Sequence, residues 1–527
     1  MQSALFLVVV QTWVPHYIGR PGGEESPSLR GSSGKTVCRL YSFAKLISPS
    51  KKSYPLPAPA VTTPTPVNPA LGQVLQFVDE HRQQFQDDLA ELLRIPSVSA
   101  DSAFRDDVRR AADWLVEHLT QIGFAVELVE TAGHPIVYAE SPPVAGAPVA
   151  LVYGHYDVQP PDPLDQWTSP PFEPTVRDGN VYARGACDDK GQMLTHVKSL
   201  QAWTQVAGEL PLQVKLLIEG EEEVGSEHLE SFLAENTDKL SCDCVVISDT
   251  SQFAPGVPAI TYGLRGIAYY ELHLTGPNRD LHSGVFGGGV TNPANTLARM
   301  LHAIVDDQGR IQVPGFYDDV LPLSEREREE WRRLPFEQKT YQSQLGVNGV
   351  TGEAGFSTLE RRWARPSFDV NGLGSGYQGE GAKTVLPAKA SAKFSFRLVP
   401  NQNPHKITAG LKALLERLTP PGIHLELVEH HSGAGITFPL ESPYLEAAAD
   451  AIEAGFGKRP VFMREGGSIP IVNSFYERLG ADVLLLGWGQ NDDNLHSPNE
   501  KFSLADYHRG IRASAALWDR LAAIKKR

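Results

Sequence analysis

A chain of 527 residues is too long for one compact core, so two domains, or one domain interrupted by a large insertion, is the starting expectation. Hydrophobic residues at 41% and charged residues at 21% exclude a disordered chain, and a formal charge of −15 argues against nucleic acid and anionic membrane as partners. Four cysteines cannot form a disulfide scaffold at this length, and no stretch approaches the roughly 20 apolar residues that cross a bilayer, so a reducing, cytoplasmic setting is expected.

Residues 1–70 differ from the rest. They hold seven basic and two acidic residues, and six prolines between Pro55 and Pro69 favour an extended, solvated linker. The apolar run 4–10 lacks a basic residue ahead of it and an evident cleavage site, and reads as an unstructured start. This acid-poor leader is a transit segment, a disordered extension or a start assigned too far upstream, and no chemistry is assigned to it.

Order is expected from Leu71. Val74, Phe77, Val78, Phe85, Leu89, Leu92 and Leu93 recur at helical spacing, predicting a helix that Pro96 ends. A second helix carries Val108, Ala111, Ala112, Leu115, Leu119 and Ile122 on one face and stops at Gly123. The short apolar runs 148–153, 213–218 and 244–247 read as buried strands alternating with helices, the pattern of an α/β fold with a mostly parallel sheet. After Thr261 the texture changes to alternating strands (268–274 and 393–398) and charged or amphipathic helices (293–305 and 324–334). The α/β pattern returns with a helix over 444–455 and a strand over 483–487. The expected organisation is a catalytic domain in two parts, 71–261 and 437–527, interrupted by an inserted α+β domain over 262–436.

Chemistry concentrates just beyond strand ends, where α/β enzymes place their ligands. His155 and Asp157 follow the run 150–153, and a metal-binding histidine needs such a partner to fix its ring. Asp188 and Asp189 open a helix near Gln192, where acids also serve as plain caps. Glu219, Glu221, Glu222 and Glu223 crowd after another strand, and such acids repel one another unless cations neutralise some of them. Asp249 follows a third strand, and His496 lies in a loop after a fourth. Mixed histidine and carboxylate ligands suit zinc, with cobalt or manganese as substitutes. The pattern Gly374-Ser375-Gly376-Tyr377-Gln378-Gly379 lacks the helix a dinucleotide site needs, and His430-His431 reads as a surface pair.

Six stretches carry a resemblance: Gly154 to Gln159, Asp188-Asp189-Lys190-Gly191, Glu219 to Ser226, Arg279 to Gly284, Arg464 to Pro470, and His496-Ser497-Pro498-Asn499-Glu500. In this order, from about Leu71 to the C-terminus, the chain resembles the dinuclear-zinc metallopeptidases that include carnosinases and cytosolic non-specific dipeptidases, with aminoacylases and glutamate carboxypeptidases as more distant kin. The resemblance implies a zinc-peptidase-like catalytic domain and an inserted lid that also dimerises. It implies that His155 and Asp249 hold one zinc, Glu223 and His496 the other, and Asp188 bridges them. Glu222 would be the general base and Asp157 would orient His155, while the Asp188–Asp189 peptide would be cis. His282, with Thr384, would reach a partner subunit's site and donate to the oxyanion. Arg397 and Ser468 would grip the substrate's carboxylate. The expected activity is hydrolysis of dipeptides or short peptides by a homodimer. An N-acyl amino-acid hydrolase or carboxypeptidase is the same-fold alternative, and a catalytically silent binding or scaffold protein is the alternative of another class.

Overall fold

The computed structural model describes residues 68–469 and 471–525. The leader expected over 1–70 therefore lies, but for residues 68–70, outside the described residues.

The single helix expected ahead of Pro96 is two, Leu71–Glu80 and Arg82–Leu93, joined at His81 with φ −105° and ψ 19°. The reason is local. The His81 ring stacks on Phe77 at 3.7 Å, and its Nδ1 meets Phe77 O at 2.8 Å, so side chain and backbone share one carbonyl. The apolar stripe survives the break: Val74, Val78, Phe85, Leu89 and Leu92 are all buried. Arg105–Gln121 follows, and Gly123 at φ +94° turns the chain away from it.

The main sheet has nine strands. At its centre Gln213–Glu219, Val149–His155, Cys244–Ile247 and Asp482–Gly487 lie side by side and parallel. Antiparallel strands flank them, Ala125–Val129 and Ile136–Glu140 on one side and Ala259–Leu264 on the other. The central strands are buried almost throughout, which is why they read as continuous apolar runs. Lys190–Ala207, Pro443–Phe456 and Leu504–Ala522 supply one covering layer, and Glu227–Glu235 and Ile471–Leu479 the other. Because the centre is parallel, its strand C-termini share one edge, and His155 sits directly opposite Glu219.

The chain leaves this sheet between Leu264 and Gly266 and returns between Gly433 and Ile436. Between those points a four-stranded antiparallel sheet runs in the order Ser367–Ser375, Lys389–Leu398, Gly266–Thr275, His424–Gly433. Burial alternates strictly along Gly266–Thr275, with Ala268, Tyr270, Leu272 and Leu274 turned toward Pro293–Ile304 and Pro404–Leu418. Gly266 lies against the returning chain so closely that a Cβ there would meet Gly433 O at 2.3 Å and Gly435 N at 2.5 Å. The charged helix expected near 324–334 is Glu325–Arg332, started by a Ser324–Glu327 capping box and anchored by Trp331 against Trp363.

Candidate metal centre

Two clusters of ligand atoms form at the shared strand edge: His155, Asp188 and Asp249 in one, Asp188, Glu223 and His496 in the other. His155 ends its strand fully buried, and its Nδ1 lies 3.1 Å from Asp157 O and 3.3 Å from Asp157 Oδ1. Both are acceptors, so Nδ1 carries the proton and Nε2 presents a lone pair. Among the described residues Nε2 has no hydrogen-bond partner of good geometry, and it faces Asp188 Oδ1 at 3.2 Å. A buried lone pair facing a carboxylate oxygen calls for a cation or a proton between them.

Asp188 serves both clusters. Its Oδ2 lies 3.0 Å from His496 Nε2, so each carboxylate oxygen addresses a different histidine. The Asp188–Asp189 peptide is cis. Glu500 braces the same loop: Oε1 accepts from Cys187 N and Asp188 N, and Oε2 from Gly185 N and Arg184 Nη1. His496 is set by a loop in which it, Asn494 and Asn499 all take positive φ. Its Nε2 is 3.4 Å from Glu223 Oε2, and Gln159 Nε2 donates to that same oxygen at 2.8 Å. Asp157 reaches further than His155: it accepts from Glu222 N at 3.3 Å and Glu223 N at 3.1 Å, pinning the turn Glu222–Val224.

Electrostatics marks the same place. Burial pushes Glu223 up to about 8, with Asp188 adding, and raises Asp249 and Glu222 as well. Burial opposes ionisation of Asp188, but contacts with His155 and His496 hold it well below the usual carboxylate range. Contact with Asp188 lifts His496 to about 9, and burial of His155 is outweighed by Asp157 and Asp188, which hold it high. Asp157, Asp188, Glu222, Glu223 and Asp249 face two imidazoles, and burial together with the neighbouring carboxylates holds Glu222, Glu223 and Asp249 toward their neutral forms, a cost that bound positive charge would relieve. The donor set, the charge and the lone His155 nitrogen all fit divalent cations of the zinc kind.

On the second sheet, Arg397 Nη1 donates to Ser468 Oγ at 3.0 Å, bringing that sequence-derived pair together. His282 and Thr384 are joined only through their chain neighbours: His282 pairs with Val385, and Ser283 N donates to Thr384 O at 3.1 Å. Both are exposed, and His282 Nδ1 accepts from Gly284 N. Among the described residues no hydrogen bond or ion pair ties His282 or Thr384 to the ligand clusters. Sequence reasoning assigned no role to Gln159 or Glu500, although both lie inside the quoted motifs. It missed Arg265 altogether. His430 pairs with Glu271 at 3.2 Å on the open face of the second sheet, as a surface residue.

Imidazoles and carboxylates converging at the ends of parallel strands, beside a second sheet that contributes an arginine, define a metal-dependent hydrolase. The model of Peptidase family M20/M25/M40 matches residues 151–520. The Cys-Gly metallodipeptidase dug1 of Schizosaccharomyces pombe is 32% identical over 471 residues, 86% of this chain and 99% of its own. The crystal structure of human carnosine dipeptidase 1 is similar with a TM-score of 0.75 at 31% identity, over 87% of this chain and 100% of that one. The M20 family metallo-carboxypeptidase Sso-CP2 of Sulfolobus solfataricus gives 0.76 at 33% identity, over 84% of this chain and 99% of its own. The chain belongs to peptidase family M20/M25/M40. The resemblance carried by the motifs holds, and so does the expected α/β fold.

Proposed function

We propose that this enzyme hydrolyses the peptide bond of dipeptides with two divalent cations, zinc by preference and cobalt or manganese as substitutes. His155 and Asp249 would hold one ion and Glu223 and His496 the other, with Asp188 serving both. Bound there, the pair would supply Lewis acidity to the scissile carbonyl and acidity to water. Glu222 accepts the attacking water's proton on its carboxylate and passes it to the leaving amine nitrogen. Asp157 keeps the proton on His155 Nδ1 and holds the Glu222 turn in register. Arg397 and Ser468 take the substrate's free carboxylate, a job suited to a guanidinium.

The segment 262–436 acts as lid and dimerisation domain, and 71–261 with 437–527 as the catalytic domain. His282 and Thr384 act in a second copy, donating to the oxyanion of its substrate. The exposed apolar residues Val285 (70%) and Leu373 (67%) on the same inserted segment support such an interface. Among the described residues no helix is long and apolar enough to cross a membrane. The free thiols of Cys187, Cys242 and Cys244 support a reducing, cytoplasmic setting.

The observation that carries this reading is Asp188, one oxygen 3.2 Å from His155 and the other 3.0 Å from His496. The test is a dipeptide panel with metal-stripped enzyme, reconstituted in turn with zinc, cobalt or manganese. Dipeptide cleavage restored by metal supports it, and no metal uptake would leave only a silent scaffold. A carboxypeptidase is the second reading, favoured by the similarity to Sso-CP2. Cleavage of longer peptides alone, one C-terminal residue at a time, would select it.

A further inference from the structure

Arg265 is the single residue between Ala259–Leu264 of the main sheet and Gly266–Thr275 of the second. Its side chain reaches both bodies. Nε donates to Gly466 O at 3.1 Å, in the loop after Val461–Glu465. Nη1 donates to Arg365 O at 3.3 Å and to Ser367 Oγ at 3.4 Å, where Ser367–Ser375 begins. The far anchor is firm, because Glu353 holds Arg365 through two contacts of 2.7 and 2.9 Å. The carbonyl of Arg265 accepts from Ser468 Oγ, the hydroxyl that itself accepts from Arg397 Nη1.

All these acceptors of Arg265 are neutral. Burial and the neighbouring Arg397 charge bring its guanidinium down to about 10, and Glu465 and Asp369 offset only part of that. Asp369 is itself exposed and accepts from Ser367 Oγ at 3.2 Å. A buried guanidinium that has only neutral acceptors and feels a second arginine's charge is costly unless an anion completes the site. A carboxylate brought by the substrate meets that need, and both cations then attract it.

We propose that Arg265 is a positioning residue of the substrate-carboxylate subsite, fixing Ser468 against Arg397 across the seam between the two sheets and adding a second positive charge there. The inference rests on the reading of Arg397 and Ser468 given under the proposed function. It makes the free carboxylate of a dipeptide a strong requirement, and it makes recognition depend on how the two sheets are held together.

The test compares one dipeptide with its C-terminal amide in the full-length, metal-loaded enzyme, the amide being read as a competitive inhibitor where it is not turned over. Wild type should prefer the acid. Arg265→Gln should raise KM for the acid about ten-fold or more and shrink that preference by a similar factor, the size expected for a hydrogen bond to a charged group. A folded Arg265→Gln with normal metal content whose preference stays within about two-fold of wild type overturns the inference. Arg265→Lys keeps the charge but not the fork, so its preference should fall by about three-fold or more. If the glutamine variant does not fold, Arg265→Lys decides, and an unchanged preference there overturns the inference. A wild type that does not distinguish acid from amide overturns the carboxylate subsite itself, and this inference with it.

Discussion

Glu500 holds the backbone of Asp188 through Oε1, which accepts the Asp188 N–H at 3.1 Å, while its other oxygen takes Gly185 N and Arg184. Glu500 stands four residues after His496, so one loop supplies a candidate ligand atom and braces the carboxylate that atom faces. The two sides of the centre are thereby set by a single piece of chain.

Glu500→Gln should therefore damage metal binding without touching a ligand. An amide in place of one oxygen presents N–H groups to N–H groups and leaves the buried Arg184 without its counter-charge. Metal affinity should fall about 10- to 100-fold, with thermal stability lowered as well. Metal titration of the purified variant reads this directly, and wild-type affinity would reject the bracing role.

Glu222→Gln separates binding from chemistry. The amide keeps the volume and leaves His155, Asp188, Glu223, Asp249 and His496 intact, but it has no basic oxygen for a proton. Metal content should match wild type while kcat falls by about 100-fold or more. Retained turnover would reject Glu222 as the base.

Gly266→Ala tests the crossing between the sheets. The added methyl would meet Gly433 O at 2.3 Å, backbone that has no room to yield. Overpacking of this kind costs about 1–3 kcal/mol, so the melting temperature should drop by several degrees. Gly72 is the control: nothing lies within 4 Å of a Cβ there, and it sits in Leu71–Glu80, so Gly72→Ala should be neutral or stabilising.

His196, which is not one of the candidate ligands, gives the chain an acid-sensitive element. It is fully buried, with Nε2 2.8 Å from Ser248 Oγ and Nδ1 without a partner, and burial lowers its pKa to about 3. The unfolded imidazole titrates near 6.5, so below that pH the unfolded chain binds a proton that the native one refuses. Stability is complete above about pH 6.5 and declines toward pH 3, by up to about 1.4 kcal/mol per pH unit. Denaturant unfolding at several pH values should show a shallower decline for His196→Gln. Equal slopes would mean that the native state protonates His196 freely.

The candidate ligands His155, Glu223 and Asp249 are legible in the sequence because each ends or follows a buried strand whose apolar run is unmistakable. Parallel pairing then brings the strand ends together, as the opposition of His155 and Glu219 illustrates. Asp188 is legible only as an acid at a helix start, since its task depends on His496, which lies far along the chain. The break at His81 is hidden because the apolar spacing runs through it unchanged, and a ring stacked on Phe77 makes it. The hairpin Thr175–Arg177 with Asn180–Tyr182 is too short to announce itself and is completed by Lys501–Ser503. Arg265 stands in no run of acids or histidines. Its importance comes from lying where the chain changes sheets, a property of topology alone.

Gly266 touching Gly433 and Gly435 means that everything between them enters and leaves through neighbouring points. A segment whose two ends adjoin can be lengthened, shortened or replaced as a cassette without re-threading the host. The residues proposed to hold the metals all lie outside that cassette, while Arg397 lies within it. Evolution could thus retune which molecules are admitted while leaving the inherited reaction centre alone, and a protein engineer could follow the same route.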